Sequence, residues 1–498
     1  MPRLFVFGIG GTGSRVIKSL TMLLASGLKA GNFDIVPILI DPHKDLGELN
    51  ECKTLLKLYS GINEASYKGT DQMDNGFFRT KITTLRSLSS DSGLKDDFEF
   101  DEKHDQPFGQ FLDLASLPKN DATKDLLSLL YSDENFRKPL SVGFKGNPNV
   151  GSVVLNALKD GPGFRAMEDA FGNQDRIFII SSIFGGTGAA GFPLLLKLFR
   201  AHTKSAIRDA QIGALSVLPY YRLTEPKVEV DEDTKQETLS SDIDSNNFMT
   251  KTKSALTYYI RPEFSNMYNA LYYIADPDKQ DKPYENNEKK QENKAHYVEL
   301  LGALSVINFA NGDHTHTGDV YEYTLKNDNV PVVNFSNMGD STRSQLGTPL
   351  TALYLFDKMH KANLTQPHLP YNKTMKFNQL YDRQQIFFDN LNLFFNKYYE
   401  KWLRELGENE RGWLPHLLEE NREYYGLING NSREKGKWDG VFKPAFNISQ
   451  VHLEGAKAAD SKSLRKLKKV SLIGSYMAMC YQAVNNIVDA NLQFKANG

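Results

Sequence analysis

The hydrophobic positions of this chain fall into two textures. From residue 3 to about residue 345, short apolar runs alternate with segments whose apolar residues recur every three to four positions. The runs predict strands and the periodic segments predict helices. Residues 4–7 read as a strand. Residues 14–28 read as a helix, with Val16, Ile17, Leu20, Leu23 and Leu24 on one face. Residues 35–40 are apolar almost throughout, as in a parallel strand covered on both faces. The alternation continues with a helix over 152–159, a strand over 176–183 and a helix reaching His202. A strand over 211–218, a helix over 247–259 and a strand over 270–275 come next. A strongly apolar helix over 297–309, expected to be central, and a last strand over 330–335 complete the series. Residues 42–140 are mixed and polar and read as an insertion over the sheet, while 231–244 and 279–294 read as polar loops. Beyond about 345 the texture is helical and rich in aromatics, over 350–361, 377–406, 413–425 and 463–492. The fold class expected is α/β, a doubly wound and mostly parallel sheet, with a mostly helical C-terminal domain. The boundaries expected are 1–310, a connecting stretch 311–345, and 346–498.

Two glycine-rich turns each follow a strand and open a helix. The first is Gly8-Ile9-Gly10-Gly11-Thr12-Gly13 and the second is Gly185-Gly186-Thr187-Gly188-Ala189-Ala190-Gly191. Glycine lets backbone N–H groups approach phosphate oxygen where a Cβ would block them. The helix behind each turn adds its positive end. The first turn alone fits a dinucleotide fingerprint, and an NAD(P)-binding Rossmann enzyme is one reading. That fingerprint wants an acid roughly 20 residues on. Asp41 lies further along than that, and the reading leaves the second turn unexplained.

Composition narrows the class. The chain has 498 residues with formal net charge −2, 40% hydrophobic and 24% charged, an ordinary globular balance with no bulk pull toward nucleic acid. The two cysteines, Cys52 and Cys480, exclude a disulfide scaffold and suit a reducing cytosol. There is no run of about 18 apolar residues to span a bilayer. The first residues carry no leader pattern, so a cytoplasmic location is expected.

The second turn, centred on Gly-Gly-Thr-Gly, resembles the signature loop of the tubulin/FtsZ superfamily, and Gly146-Asn147-Pro148-Asn149-Val150-Gly151 resembles the Asn-Pro loop of FtsZ. Over residues 3–345 the chain is most similar to the divergent bacterial tubulin-like proteins. The resemblance implies a GTP-binding protein using GTP/GDP and Mg²⁺, a GTPase that self-associates head to tail into filaments. It places Gly10, Gly11, Thr12 and Gly13 under the α and β phosphates, Asp41 near Mg²⁺, and Gly146 and Asn147 near the γ-phosphate. It places Gly185, Gly186, Thr187 and Gly188 around the diphosphate. Asp276 (with Asp278 second) would reach ribose or base, Tyr297 would stack on the base, and Glu299 would accept from guanine. Arg222 is a further candidate to face the site.

In this family the catalytic acid comes from the neighbouring subunit's loop after the central helix. Here that loop is 311–320, where Asp319 is the first candidate and Asp313 the second, and His314 and His316 replace a polar pair. Phe184 stands where the signature run has its first glycine. These departures, with the foreign C-terminal region, keep open a non-polymerising nucleotide-binding switch or scaffold. The His314/His316 pair has metal-ligand residue types but reads as a polar loop, and no metal ligands are assigned. The basic run 462–469 reads as a solvated face or a docking site for a protein partner. The aromatics of 387–402 read as a helical core.

Overall fold

The computed structural model describes residues 1–43, 47–69, 76–89, 94, 96–100, 104–118, 121–142, 144, 147–221, 228–230, 237–239, 248–276, 293–323, 330, 332–365, 369, 375–409, 411–414 and 448–491. Gly146, Arg222, Asp278 and most of the two predicted polar loops lie outside them.

Six strands form one parallel sheet. They are β1 (Arg3–Ile9), β2 (Asp34–Ile40), β3 (Arg176–Ser182), β4 (Ile212–Val217), β5 (Ala270–Ile274) and β6 (Asp319–Glu322), in the order β2-β1-β3-β4-β5-β6. β1, β3 and β4 are buried at nearly every position, which is why they read as continuous apolar runs. At the β2 edge, Ile35 and Leu39 accept and donate backbone bonds with Lys81, Thr83, Phe98 and Phe100 of the insertion. Pro37 has the same parity, so the N–H it lacks would point into the gap between those two bridges. This order differs from the 3-2-1-4-5-6 arrangement of a dinucleotide fold, in which another full strand lies outside β2.

Helices cover both faces. α1 (Gly10–Ala25) packs on α2 (Gly47–Tyr67) of the insertion; α3 (Pro148–Leu155) packs on α4 (Gly186–Arg200). α5 (Tyr297–Asn311) is apolar on all sides and sits between α1 and the strands β4 and β5. At Gly302 a Cβ would come within 2.8 Å of Leu215, so the helix lies close on the sheet.

The C-terminal region is helical. α6 (Asp340–Thr365) precedes α7 (Gln385–Leu393), which runs through a π turn (Phe394–Tyr399) into α8 (Glu400–Gly407). α9 (Ile448–Ala459), α10 (Lys462–Val470) and α11 (Leu472–Asn491) complete it. These helices share one continuous core with the sheet layer, from Leu4 to Val488. Phe77 of the insertion stacks on Phe356 and Phe78 meets Phe394 edge to face, with ring centroids 4.5 and 4.8 Å apart. Phe387, Phe388, Phe394, Phe395, Tyr398, Tyr399 and Trp402 are all buried in that core. Among the described residues no helix is long and apolar enough to cross a membrane.

Three expectations need correction. The last strand of the sheet is β6, beginning at Asp319 inside the predicted loop, whereas Val332–Val333 pairs instead with Gly412–Trp413 in a separate two-stranded ladder. Trp413 is therefore extended and not helical. The single helix expected over 463–492 is two, because Ser471 adopts an extended backbone and its Oγ accepts the Gly474 N–H at the start of α11.

Candidate functional site

The strand order reverses between β1 and β3: the chain leaves β1 for β2 on one side and returns to β3 on the other. Open parallel sheets bind ligands outside the strands' C-terminal ends at such a point. Both glycine turns stand there, one leaving β1 and the other leaving β3. Gly10 has φ +69°, a conformation that L side chains rarely adopt, and a Cβ built on it would lie 3.6 Å from Thr187 Cβ. The two turns thus face each other. A Cβ on Gly13 would come within 2.4 Å of the Gly8 carbonyl carbon, and one on Gly188 within 2.7 Å of the Ser182 oxygen. These two glycines let the helices sit directly on their strands.

The helix starts behind the turns differ from their neighbours. α3 is capped by Asn147, whose side chain accepts from Asn149 and Val150 N–H, and α5 is capped by His296 accepting from Val298 N–H. Ile9 and Gly185, which precede α1 and α4, make no side-chain cap, and neither first turn holds an acidic residue. The first N–H groups of α1 and α4 therefore carry the helix dipole with no carboxylate in their own first turn. Gly11, Gly185, Gly186 and Thr187 are partly exposed, while Gly10, Thr12, Gly13 and Gly188 are packed beneath. Oγ of Ser14, the fifth residue of α1, and Ser181 Oγ near the end of β3 are buried with no hydrogen-bond partner among the described residues. Buried donors of this kind fit a ligand rich in acceptor oxygens.

Asp41 directly follows β2 at the same pole, buried, with Oδ1 accepting the His43 N–H at 2.9 Å. Asn147 caps α3 and also donates from Nδ2 to Asn135 at 3.0 Å. Phe184, in place of a glycine, packs against Phe248 and Tyr221.

A buried polar network flanks α1 at this pole. Glu299, in the first turn of α5, accepts from Arg15 Nε at 2.6 Å and from the Tyr220 hydroxyl at 2.9 Å, and its other oxygen takes the His296 N–H. Arg15 also pairs with Glu48 at 3.3 Å. The Glu299 carboxylate is thus engaged by the chain itself. Asp276, two residues past β5, pairs with Arg411 at 3.0 Å and lies 3.6 Å from His296 Nε2. The Tyr297 hydroxyl lies beside Arg411 and Asp276, and its ring stacks on His296 with centroids 4.7 Å apart. Burial, with Arg15 and Arg411 nearby, pushes the His296 imidazole down to about 3, so it is neutral. Nδ1 accepts from Val298, which leaves the proton on Nε2 facing Asp276. Arg15, Tyr220, His296 and Arg411 are members of this site that the sequence reading does not assign. Only Arg15 had a signal, its place directly after the first glycine turn.

Asp313 and Asp319 lie at the other pole. Through the pairing register, Asp319 is level with Ala270, Gly213 and Phe178 near the strand starts. Ser182 is four residues beyond that level and three strands across, about 20 Å away in the sheet plane, and the second turn starts past it. Asp313 lies near Arg176 at the start of β3. Asn269 holds the loop, donating to the backbone oxygens of His314 and His316. His314 is buried and stacked on Phe309, while His316 is exposed. Beside the loop is a concavity of about 950 Å³ whose lining includes Lys29, Phe33, Asp175, Arg176, Asp209 and Gly312. The structure therefore brings the two glycine turns, Asp41, Asn147, Asp276, Tyr297 and Glu299 to one end of the sheet and the two loop aspartates to the opposite end. Among the described residues, no three His, Cys, Asp or Glu side chains gather as a metal site.

No protein-family model matches the chain, and no curated protein matches it significantly. Solved structures do. CetZ2 from Haloferax volcanii, a GTPγS-bound protofilament, is 11% identical with TM-score 0.29, over 63% of this chain and 60% of that one. CetZ from Methanosaeta thermophila is 13% identical with TM-score 0.26, over 62% and 51%. A GTPγS-form protofilament of TubZ from Bacillus thuringiensis serovar israelensis is 12% identical with TM-score 0.23, over 62% and 55%. The match spans about half to three-fifths of these chains' own length.

Proposed function

We propose that the chain binds a guanine nucleotide between its two glycine turns and self-associates head to tail, with hydrolysis depending on a second copy. The observation that carries the reading is the apposition of two uncapped, acid-free helix starts at the reversal point of the sheet. Gly10 to Gly13 and Gly185 to Gly188 would offer backbone N–H groups to the phosphates. Asn147, through its capped helix, would border the γ-phosphate together with Gly146. Asp41 would help hold Mg²⁺, which would supply positive charge against the phosphates. Tyr297 and Asp276 form the base side. Glu299, held by Arg15, keeps the first turn of α5 in place beside α1, and a guanine contact from it would require loosening that pair. Guanine over adenine follows from the family resemblance.

Hydrolysis needs a group to orient water against the γ-phosphorus while the bond to the β-phosphate oxygen breaks. Asp319 and Asp313 sit about 20 Å or more from the turns of their own chain. A neighbouring copy stacked pole to pole would bring them there. Repeated, that contact makes an open filament. Light scattering and negative-stain microscopy with GTP and Mg²⁺ test this: assembly is expected, and none across salt and Mg²⁺ concentrations would contradict it. Asp319→Ala should bind nucleotide normally and lose turnover. A second reading, a nucleotide switch that does not polymerise, is favoured by the burial of His314 away from the loop surface and by Phe184 in the second turn. It predicts tight binding with no assembly in the same experiment.

A further inference from the structure

The C-terminal helices reach the base side of the site through one short segment. Glu405 accepts the Ala295 N–H at 3.1 Å, Asn409 donates to the Ala295 carbonyl at 2.5 Å, and Lys294 pairs with Glu408 at 2.9 Å. All three bonds fasten the stretch just before His296, the cap of α5. The same helix, α8, also holds α1 and α2: Trp402 Nε1 donates to Ser19 Oγ of α1 at 3.2 Å, and Lys401 pairs with Glu51 of α2 at 3.0 Å. At the end of the segment, Arg411 is almost fully buried, pairs with Asp276 and donates to the Val330 carbonyl, and its charge stands beside the Tyr297 hydroxyl. A buried carboxylate is costly without a partner of opposite charge. Without Arg411 the buried Asp276 would lose its ion-pair partner, and Tyr297 the cation beside its hydroxyl.

We infer that Arg411 is a positioning residue for the nucleotide base: it fixes Asp276 and the Tyr297 ring before the base arrives and makes base binding depend on the C-terminal helices. The inference rests on the nucleotide reading above. Arg411 acts through Tyr297 and Asp276, and the phosphate side, built from α1 and α4, does not need it. Holding a ring in its bound orientation lowers the ordering cost of binding, so its loss shows as weaker binding of the base alone.

The test is equilibrium and stopped-flow binding of a fluorescent GTP analogue to the full chain, wild type against Arg411→Gln and Arg411→Lys, with inorganic triphosphate as competitor. Arg411→Gln should weaken the GTP analogue by about tenfold or more, chiefly through faster dissociation, as for the loss of a buried charged hydrogen bond. Triphosphate should compete as in the wild type, and Arg411→Lys should fall between. If Arg411→Gln does not fold, Arg411→Lys carries the test with a smaller loss. Unchanged or tighter GTP binding, or an equal loss for triphosphate, would overturn the inference and leave the nucleotide reading standing. A wild type that binds neither probe would overturn the nucleotide reading and this inference together.

Discussion

Gly13 has room for a hydrogen atom and little else, since a Cβ would meet the Gly8 backbone at 2.4 Å. Gly13→Ala should therefore cost about 1–3 kcal/mol, the range for overpacking a tight contact, read as a fall in Tm. Gly11 separates binding from stability. It is partly exposed in a first turn that lacks an acid. An aspartate there suits the helix dipole but puts a negative charge where phosphate would sit. Gly11→Asp should keep the melting temperature and lose nucleotide. The glycines were legible in the sequence because their reason is local: a turn, a close approach, a helix start. The ion pairs around them were not. Arg15 meets Glu299 from 284 residues away, and Arg411 meets Asp276 from 135 residues away. No spacing rule reaches across such separations.

Elements were legible where burial imposed a long pattern. β1, β3 and β4 are covered on both faces, and α5 on all sides, so their runs stand out. The four residues of β6 lie on an exposed edge, too short to show a period, and Asp319 reads as loop in the sequence. The apolar run at 330–335 was visible, but its partner, Gly412–Trp413, lies far along the chain. The α10–α11 break came from one residue, Ser471, within an otherwise periodic stretch. Of the site, the phosphate side was readable because it follows strand ends. The base side was read only in part, because the C-terminal helices supply some of its holding groups.

At the scale of the whole molecule, the two poles of the sheet carry different chemistry, and complementation follows. Gly11→Asp lacks a working phosphate site but keeps Asp319, and Asp319→Ala is the converse. Neither should turn over GTP alone. Mixed, they should recover part of the phosphate release, because an intact site of one then meets an intact loop of the other; no recovery would argue against hydrolysis between copies. Acid sensitivity is also a property of the whole core. Burial pushes His296 down to about 3 and His360 and His452 down to about 4. Each is neutral when folded and takes up a proton on unfolding below about 6.5, so the stability it confers is present above pH 6.5 and is lost as pH falls. Asp357, pushed up to about 6 by burial, works in the opposite sense. Among these four groups, the three histidines outweigh the one aspartate, so protons are taken up on unfolding and stability falls as pH drops below about 6.5. Urea midpoints measured from pH 7.5 to 5 should fall steadily, and a flat profile would contradict the assignment.

The central claim is that the two apposed glycine turns bind the phosphates of a nucleotide. Equilibrium binding of a fluorescent GTP analogue with Mg²⁺, wild type against Gly11→Asp at matched melting temperature, tests it most directly. Saturable binding by the wild type and none by Gly11→Asp is the predicted result. Equal binding by both, or none by the wild type, would contradict it.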